Sequence, residues 1–245
     1  MIANQAFRAQ ARSLAGDVVL LAVAGAAFVM ALSLALSVPA DFADAPGSAR
    51  EEFLAPFGTI MATYGAILAA IYGSFRYTVD RRNGVVAQRL TLQPRWASLV
   101  TRAPAAALGG ALVALSAVVG GHVALAISMG GAAVDWPAIA ASAAVGAAAG
   151  LWGFGVGLVA QQHLVALFVA PATIGVATLV ATFWAAGAVW FPLPAMLATV
   201  GFDIRQVGFQ DAAALDRPMA ATLAVVWIVL ILAAGGISFL RRDVK

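Results

Sequence analysis

Long apolar stretches alternate with short polar ones along nearly the whole chain. Six runs, at about 18–38, 55–74, 104–129, 137–160, 164–191 and 219–239, are apolar from end to end. A bilayer's hydrocarbon core of about 30 Å is crossed by about 20 apolar residues in a helix, and every run meets that length. The pattern predicts an all-α integral membrane protein with six transmembrane helices in a single transmembrane domain, 1–245. The largest remaining pieces, 75–103 and 192–218, are too short to fold as soluble domains of their own.

The polar pieces differ in character. Residues 1–16 set Ile2, Phe7 and Leu14 among Arg8 and Arg12, which lie four apart, a pattern for an N-terminal interfacial helix. The connection after the first run, with Pro39, Pro46, Gly47 and five charges, reads as an irregular polar loop. The first run itself has 21 residues, longer than the roughly 7–15 of a signal-peptide core, and reads as an uncleaved helix. After Phe191 the chain is too short and polar to cross and return, yet Met196, Leu197, Val200 and Phe202 are too apolar for plain solvent. A re-entrant segment before the sixth helix fits, either as a lid packed on the extracellular end of the bundle or as a loop lying on the headgroups.

The stretch Arg76 to Arg102 adds orientation, because it holds six of the fourteen basic residues and one acid. Arginine-rich short loops beside apolar spans stay on the cytoplasmic side. With that loop inside, the inner pieces carry eleven basic residues against three acids and the outer pieces three against eight. Both termini are then cytoplasmic. A composition of 63% hydrophobic and 10% charged residues, with mean hydropathy +0.95, agrees with the membrane class. The net charge of +3 reflects this orientation, and without a basic aromatic surface nothing points to nucleic acid.

Small residues mark two helix faces. The fourth run carries Ser142, Gly146, Gly150, Gly153 and Gly157, which let helices approach closely where lipid offers no hydrophobic drive. The fifth has a ridge of Ala166, Ala170, Ala177, Ala181 and Ala185, suited to packing within the chain or against a second copy.

The chemistry present is sparse. Lys245 is the only lysine, so no GxxxxGK[ST] phosphate loop exists and this chain cannot hydrolyse ATP by that device. Without cysteine there is no thiolate nucleophile or disulfide. His122 and His163 fall at opposite ends of the spans and make no metal site. No charged residue lies inside the six runs as drawn, which argues against a proton-driven carrier. No catalytic residues or cofactors are assigned. His122, with Phe28, Phe183 and Trp184, is the candidate lining of a path for an apolar or amphipathic solute.

Within the basic loop, Val85, Val86, Leu90 and Leu92 form an apolar ladder closed by Pro94, a pattern for a short helix with a sticky side. The order Asp80, Gly84, Leu90 and Leu92, Pro94-Arg95, Arg102, together with six spans and no motor, resembles the membrane subunit of a type 2 ABC exporter. The likeness covers about 25 residues. It implies that Asn83 to Thr91 act as a cytoplasmic coupling helix between the second and third spans. Asp80, Arg81, Arg82, Gly84, Arg89, Leu90, Leu92, Pro94 and Arg95 would then meet a separate ATPase subunit that binds ATP and Mg. It further implies two permeases with two ATPases in a prokaryotic cell membrane, exporting a drug, natural product, lipid or peptide. The alternative is a non-transporting scaffold or regulatory subunit of a membrane complex.

Overall fold

The computed structural model describes Leu14 and residues 16–38, 45–131, 133–209 and 215–241; the interfacial helix expected over 1–16 lies almost wholly outside the described residues. Every regular element among the described residues is helical: α1 (Val18–Leu36), α2 (Gly47–Leu54), α3 (Phe57–Arg82), α4 (Val85–Leu92), α5 (Arg95–Met129), α6 (Trp136–Ala160), α7 (His163–Ala181), α8 (Ala185–Ala188), α9 (Pro192–Thr199), a 3-10 turn (Ile204–Val207) and α10 (Arg217–Arg241). Five helical stretches, Gly47–Arg82, Arg95–Met129, Trp136–Ala160, His163–Ala181 and Arg217–Arg241, are long and apolar enough to cross a membrane. That length and composition fit a multi-pass membrane protein. The apolar part of α1 counted with them, Val18–Leu34, is shorter.

Local chemistry sets the helix ends. Asp135 caps α6 by accepting from the Ala138 amide at 3.2 Å, with Pro137 behind it in the first turn, where a missing N–H costs nothing. Gly84, at φ +73°, opens α4, and Gly130, at φ +72°, closes α5, both in a conformation that side chains disfavour. Arg50 on α2 donates to the Met129 and Gly131 carbonyls, the latter at 2.7 Å, so a cation satisfies the C-terminal end of α5. The stretch expected as an irregular polar loop is therefore helical from Gly47, held by this side chain.

At the centre of the bundle, α6 packs between α3 and α5. A Cβ on Gly73 would overlap the Gly150 carbonyl, one on Gly153 the Ala70 carbonyl, and one on Gly150 the Ala106 carbonyl. The small-residue face of α6 thus brings backbone against backbone on two sides. Helix α1 lies on α5, where Gly120 faces the backbone of Phe28 and Ser116 Oγ donates to the Ala24 carbonyl at 2.8 Å.

Besides α3, which runs on to Arg82 rather than 74, three places differ from the hydropathy pattern. The third long helix begins at Arg95, so Arg95 and Arg102 are helical residues and Pro104 sits inside the helix. The fifth helix stops at Ala181 rather than 191; the chain turns through Thr182–Trp184, makes the single turn of α8 and begins α9 at Pro192. Proline opens a helix well, and an unbroken apolar run cannot distinguish one helix from a helix followed by a buried hairpin. Third, the segment after Phe191 is no surface loop. Leu193, Ala195, Leu197 and Phe209 are fully buried, and Thr59 donates to Gln206 Oε1 at 2.7 Å, so α9 and the 3-10 turn plug the bundle end far from Arg76–Arg102.

The alanine ridge of α7 also finds its partner inside the chain. Ala166, Ala170 and Ala177 are buried, and Ser74 of α3 donates to the Ala166 carbonyl at 3.3 Å. A face already covered by α3 is not free for a second copy. Ala177→Leu is accordingly expected to destabilise the single chain rather than only its self-association. Gly153→Val should lower the unfolding midpoint in detergent, at a cost of at least about 1–3 kcal/mol from overpacking. Gly25→Val, with nothing within 4 Å of its Cβ, should leave it unchanged; equal midpoints for all three would contradict the packing described.

Candidate functional site

Four charged side chains meet at the end of the bundle that carries the arginine-rich stretch. Arg76 and Asp80 lie one turn apart on α3 and pair with each other. Asp80 Oδ2 also takes Arg102 Nη1 of α5 at 3.0 Å. On its other side Arg76 Nε reaches Asp17 Oδ2 at 2.5 Å, and the Tyr72 hydroxyl donates to the same oxygen at 3.1 Å. Asp17 Oδ1 meanwhile caps α1, accepting from Val19 at 3.0 Å and Leu20 at 3.2 Å. One chain of contacts, Asp17–Arg76–Asp80–Arg102, therefore joins α1, α3 and α5.

The network is buried, with Asp17, Asp80 and Arg102 at 4%, 6% and 5% exposure. Two carboxylates balance two guanidinium groups, so no net charge is carried into the interior. Buried charges at this depth are tolerated when paired. The Arg102 guanidinium also stands over the Tyr77 ring, 5.8 Å from its centroid, within cation–π range. Tyr77 in turn meets Phe154 and Phe239 edge-on at 5.9 and 6.3 Å.

Helix α4 rests on that aromatic group. Val86 is fully buried in the cluster containing Tyr77, Phe154 and Phe239, and Leu90 packs against it. The apolar side that the sequence offered as sticky is thus turned mostly onto the bundle. What α4 leaves outward is Gln88, Thr91 and Leu92, the last 86% exposed.

The other sequence candidates fall around the same end. Asp80 is not a loop residue but the centre of the ionic chain. Arg81 is half-buried, and Arg82, exposed, donates from Nη1 to His163 Nε2 at 3.1 Å, tying α3 to the start of α7. Gly84 provides the turn into α4, and Arg89 occupies its last turn. Pro94 caps α5, and Arg95 Nη1 donates to the Leu240 carbonyl at 3.0 Å. Asp17, Tyr72, Arg76 and Tyr77 belong to the site without being among the candidates named from sequence. A signal for part of this was present: Asp17 directly precedes an apolar run, and Arg76 and Asp80 are four apart.

The four candidates for a solute path are not brought together. Phe28 is half-buried in the α1–α5 contact, while Phe183 and Trp184 are 92% and 65% exposed in the turn after α7. His122 lines a cavity of about 720 Å³ at the opposite end of the bundle, whose lining includes none of the other three. The early end of α7 is the reason, since it leaves the two aromatics outside the packed core. Among the described residues no three of His, Asp and Glu converge as a metal site would require.

The pairing pattern makes the two acids unequal. Asp80→Asn leaves Arg102 buried without its carboxylate and should cost about 3–5 kcal/mol, whereas Asp17→Asn leaves Arg76 paired with Asp80 and should cost less. Asp80→Asn with Arg102→Gln should recover part of the loss. Chemical unfolding of the purified variants tests this order, and a double variant worse than the sum of its parts would contradict it. Compared with known proteins, the chain matches no family model, no curated protein and no solved structure.

Proposed function

We propose that the chain is the membrane subunit of an ATP-driven exporter of the type 2 ABC class, with six spans that include α1, both termini cytoplasmic, and the arginine end facing a separate ATPase. The observation that carries this reading is α4: a short rigid helix, set between two long helices whose ends are locked by buried ion pairs. A push on α4 bears on Val86 and Leu90, hence on Tyr77 and Arg102, and through Asp80 and Arg76 on α3 and α1. Such a path moves whole helices rather than a loop. Phosphate-loop chemistry, ATP and Mg belong to the partner, since the single lysine here, Lys245, stands in no GxxxxGK[ST] loop.

In this reading Leu92, Gln88 and Thr91 touch the ATPase, while Val86 and Leu90 seat α4 on its own bundle. Assembly as two permeases with two ATPases in a prokaryotic plasma membrane, among lipids, follows from the same class. The solute is hydrophobic or amphipathic.

The absence of cysteine allows clean single-cysteine tests. Ser48→Cys should react with an impermeant thiol reagent on whole cells and Asn83→Cys only after permeabilisation; the reverse pattern would invert the orientation. A photocrosslinker at Leu92→Cys or Gln88→Cys in native membranes should capture a soluble protein with a GxxxxGK[ST] motif, and one at Ser48→Cys should not. Folded variants that capture no such ATPase would support a scaffold instead.

A further inference from the structure

Two cavities of opposite character adjoin at the plugged end of the bundle. The larger, about 720 Å³, is lined by Arg50, Glu51, Asp135, Asp203, His122 and other residues of mixed polarity. The smaller, about 400 Å³, is lined almost wholly by apolar side chains, among them Leu34, Ile60 and Leu125. Leu54, Phe57 and Met61 belong to both walls. Helix α2 makes the division: Gly47, Arg50, Glu51 and Leu54 follow one helical face into the polar side, and Phe53 and Leu54 turn to the apolar side. A ligand with a polar head and an apolar body would fill both.

The polar wall selects the sign of the head. Three carboxylates, Glu51, Asp135 and Asp203, line it with one guanidinium, that of Arg50, whose Nη2 donates to the Met129 and Gly131 carbonyls; Asp203 also pairs at 3.7 Å with Arg205, which lies outside the lining. The hydroxyl hydrogens are engaged too. Thr59 donates its hydrogen to Gln206 Oε1 at 2.7 Å and Ser142 to the Ala138 carbonyl at 2.8 Å, leaving lone pairs toward further donors. His122 Nδ1 donates to the Val118 carbonyl at 2.9 Å. Phe57, edge-on to His122 at 5.4 Å, and Phe202 add aromatic surface to the wall. Acceptors, negative charge and ring faces together suit an ammonium group.

We infer that the paired cavities form a binding site for a cationic amphiphile, its protonated or quaternary amine among Glu51, Asp135 and Asp203 and its apolar body between Leu34, Ile60 and Leu125. A combined volume on this scale matches a drug-sized organic cation. The site stands as a binding site by itself; that its ligand is the exported cargo rests on the reading above.

The test uses the full chain in lipid nanodiscs, with no ATP and no partner, and the fluorescent cation rhodamine 6G as probe. Anisotropy should show saturable binding above that of empty discs, competed by dodecylamine and not by dodecyl sulfate. Glu51→Gln with Asp203→Asn, both on exposed side chains, should weaken binding about tenfold, equivalent to about 1.4 kcal/mol, without lowering the unfolding midpoint. Ile60→Trp should weaken the cation by filling the apolar side. Equal competition by the sulfate, or unchanged binding in the carboxylate variant, overturns the assignment and leaves a lipid-contact groove. Because ATPase capture is scored separately, either result can fail while the other stands.

Discussion

Helices surrounded by lipid gain little from hiding apolar surface, since lipid tails are as apolar as leucine. Their association has to come from close contact, and in this chain the contact is made by the absence of side chains. Along α6, Gly146, Gly150, Gly153 and Gly157 face Gly110, Ala106, Ala70 and Ser74. This places α3 and α5 on either side of α6 at backbone distance, and everything described at the two ends of the bundle inherits that spacing. Were α3 and α5 held further apart, Arg102 would not reach Asp80, and the first turn of α3 would not stand beside His122 on α5.

The charged network builds on that spacing. Asp80 is held by an arginine of its own helix and by one from α5, while Asp17 binds Arg76 and caps α1 at once. Each member has two jobs, so the network fixes the relative positions of three helices rather than adding an isolated pair. Its cost is desolvation, offset by charge balance and by hydrogen bonds in which every carboxylate oxygen takes part. The far end uses a different method. Arg50 fastens α2 across the end of α5 through backbone carbonyls, and α9 fills the space that α7 vacates by ending early.

Much of the architecture was legible because bilayer thickness imposes a length on apolar runs, and five long helices answer to runs seen in the sequence. The glycine spacing of α6 was readable as a packing face because small residues let helices approach closely in lipid, and the backbone contacts decide for packing over a hinge or a path lining. What could not be read was any feature decided by tertiary partners. Asp80 and Arg102 are twenty-two positions apart, and only the contact of α3 with α5 turns two apparently solvated loop charges into a buried pair. The direction of the Ala166–Ala177 ridge was likewise open, because an alanine face fits a neighbour in the same chain as well as one in another. Phe183 and Trp184 looked like cavity lining only while the fifth helix was drawn through them.

The backbone contacts of α6 have a thermodynamic side. Glycine and alanine lose essentially no rotamer freedom when buried, so joining α6 to α3 and α5 orders almost nothing beyond the chain itself. An interface of leucines can absorb a misfit by changing rotamers, each adjustment lowering the penalty. One made of carbonyls and α-carbons has no such reserve. It is cheap to form and brittle to alter, which confines sequence drift on that face of α6 to exchanges among the smallest residues.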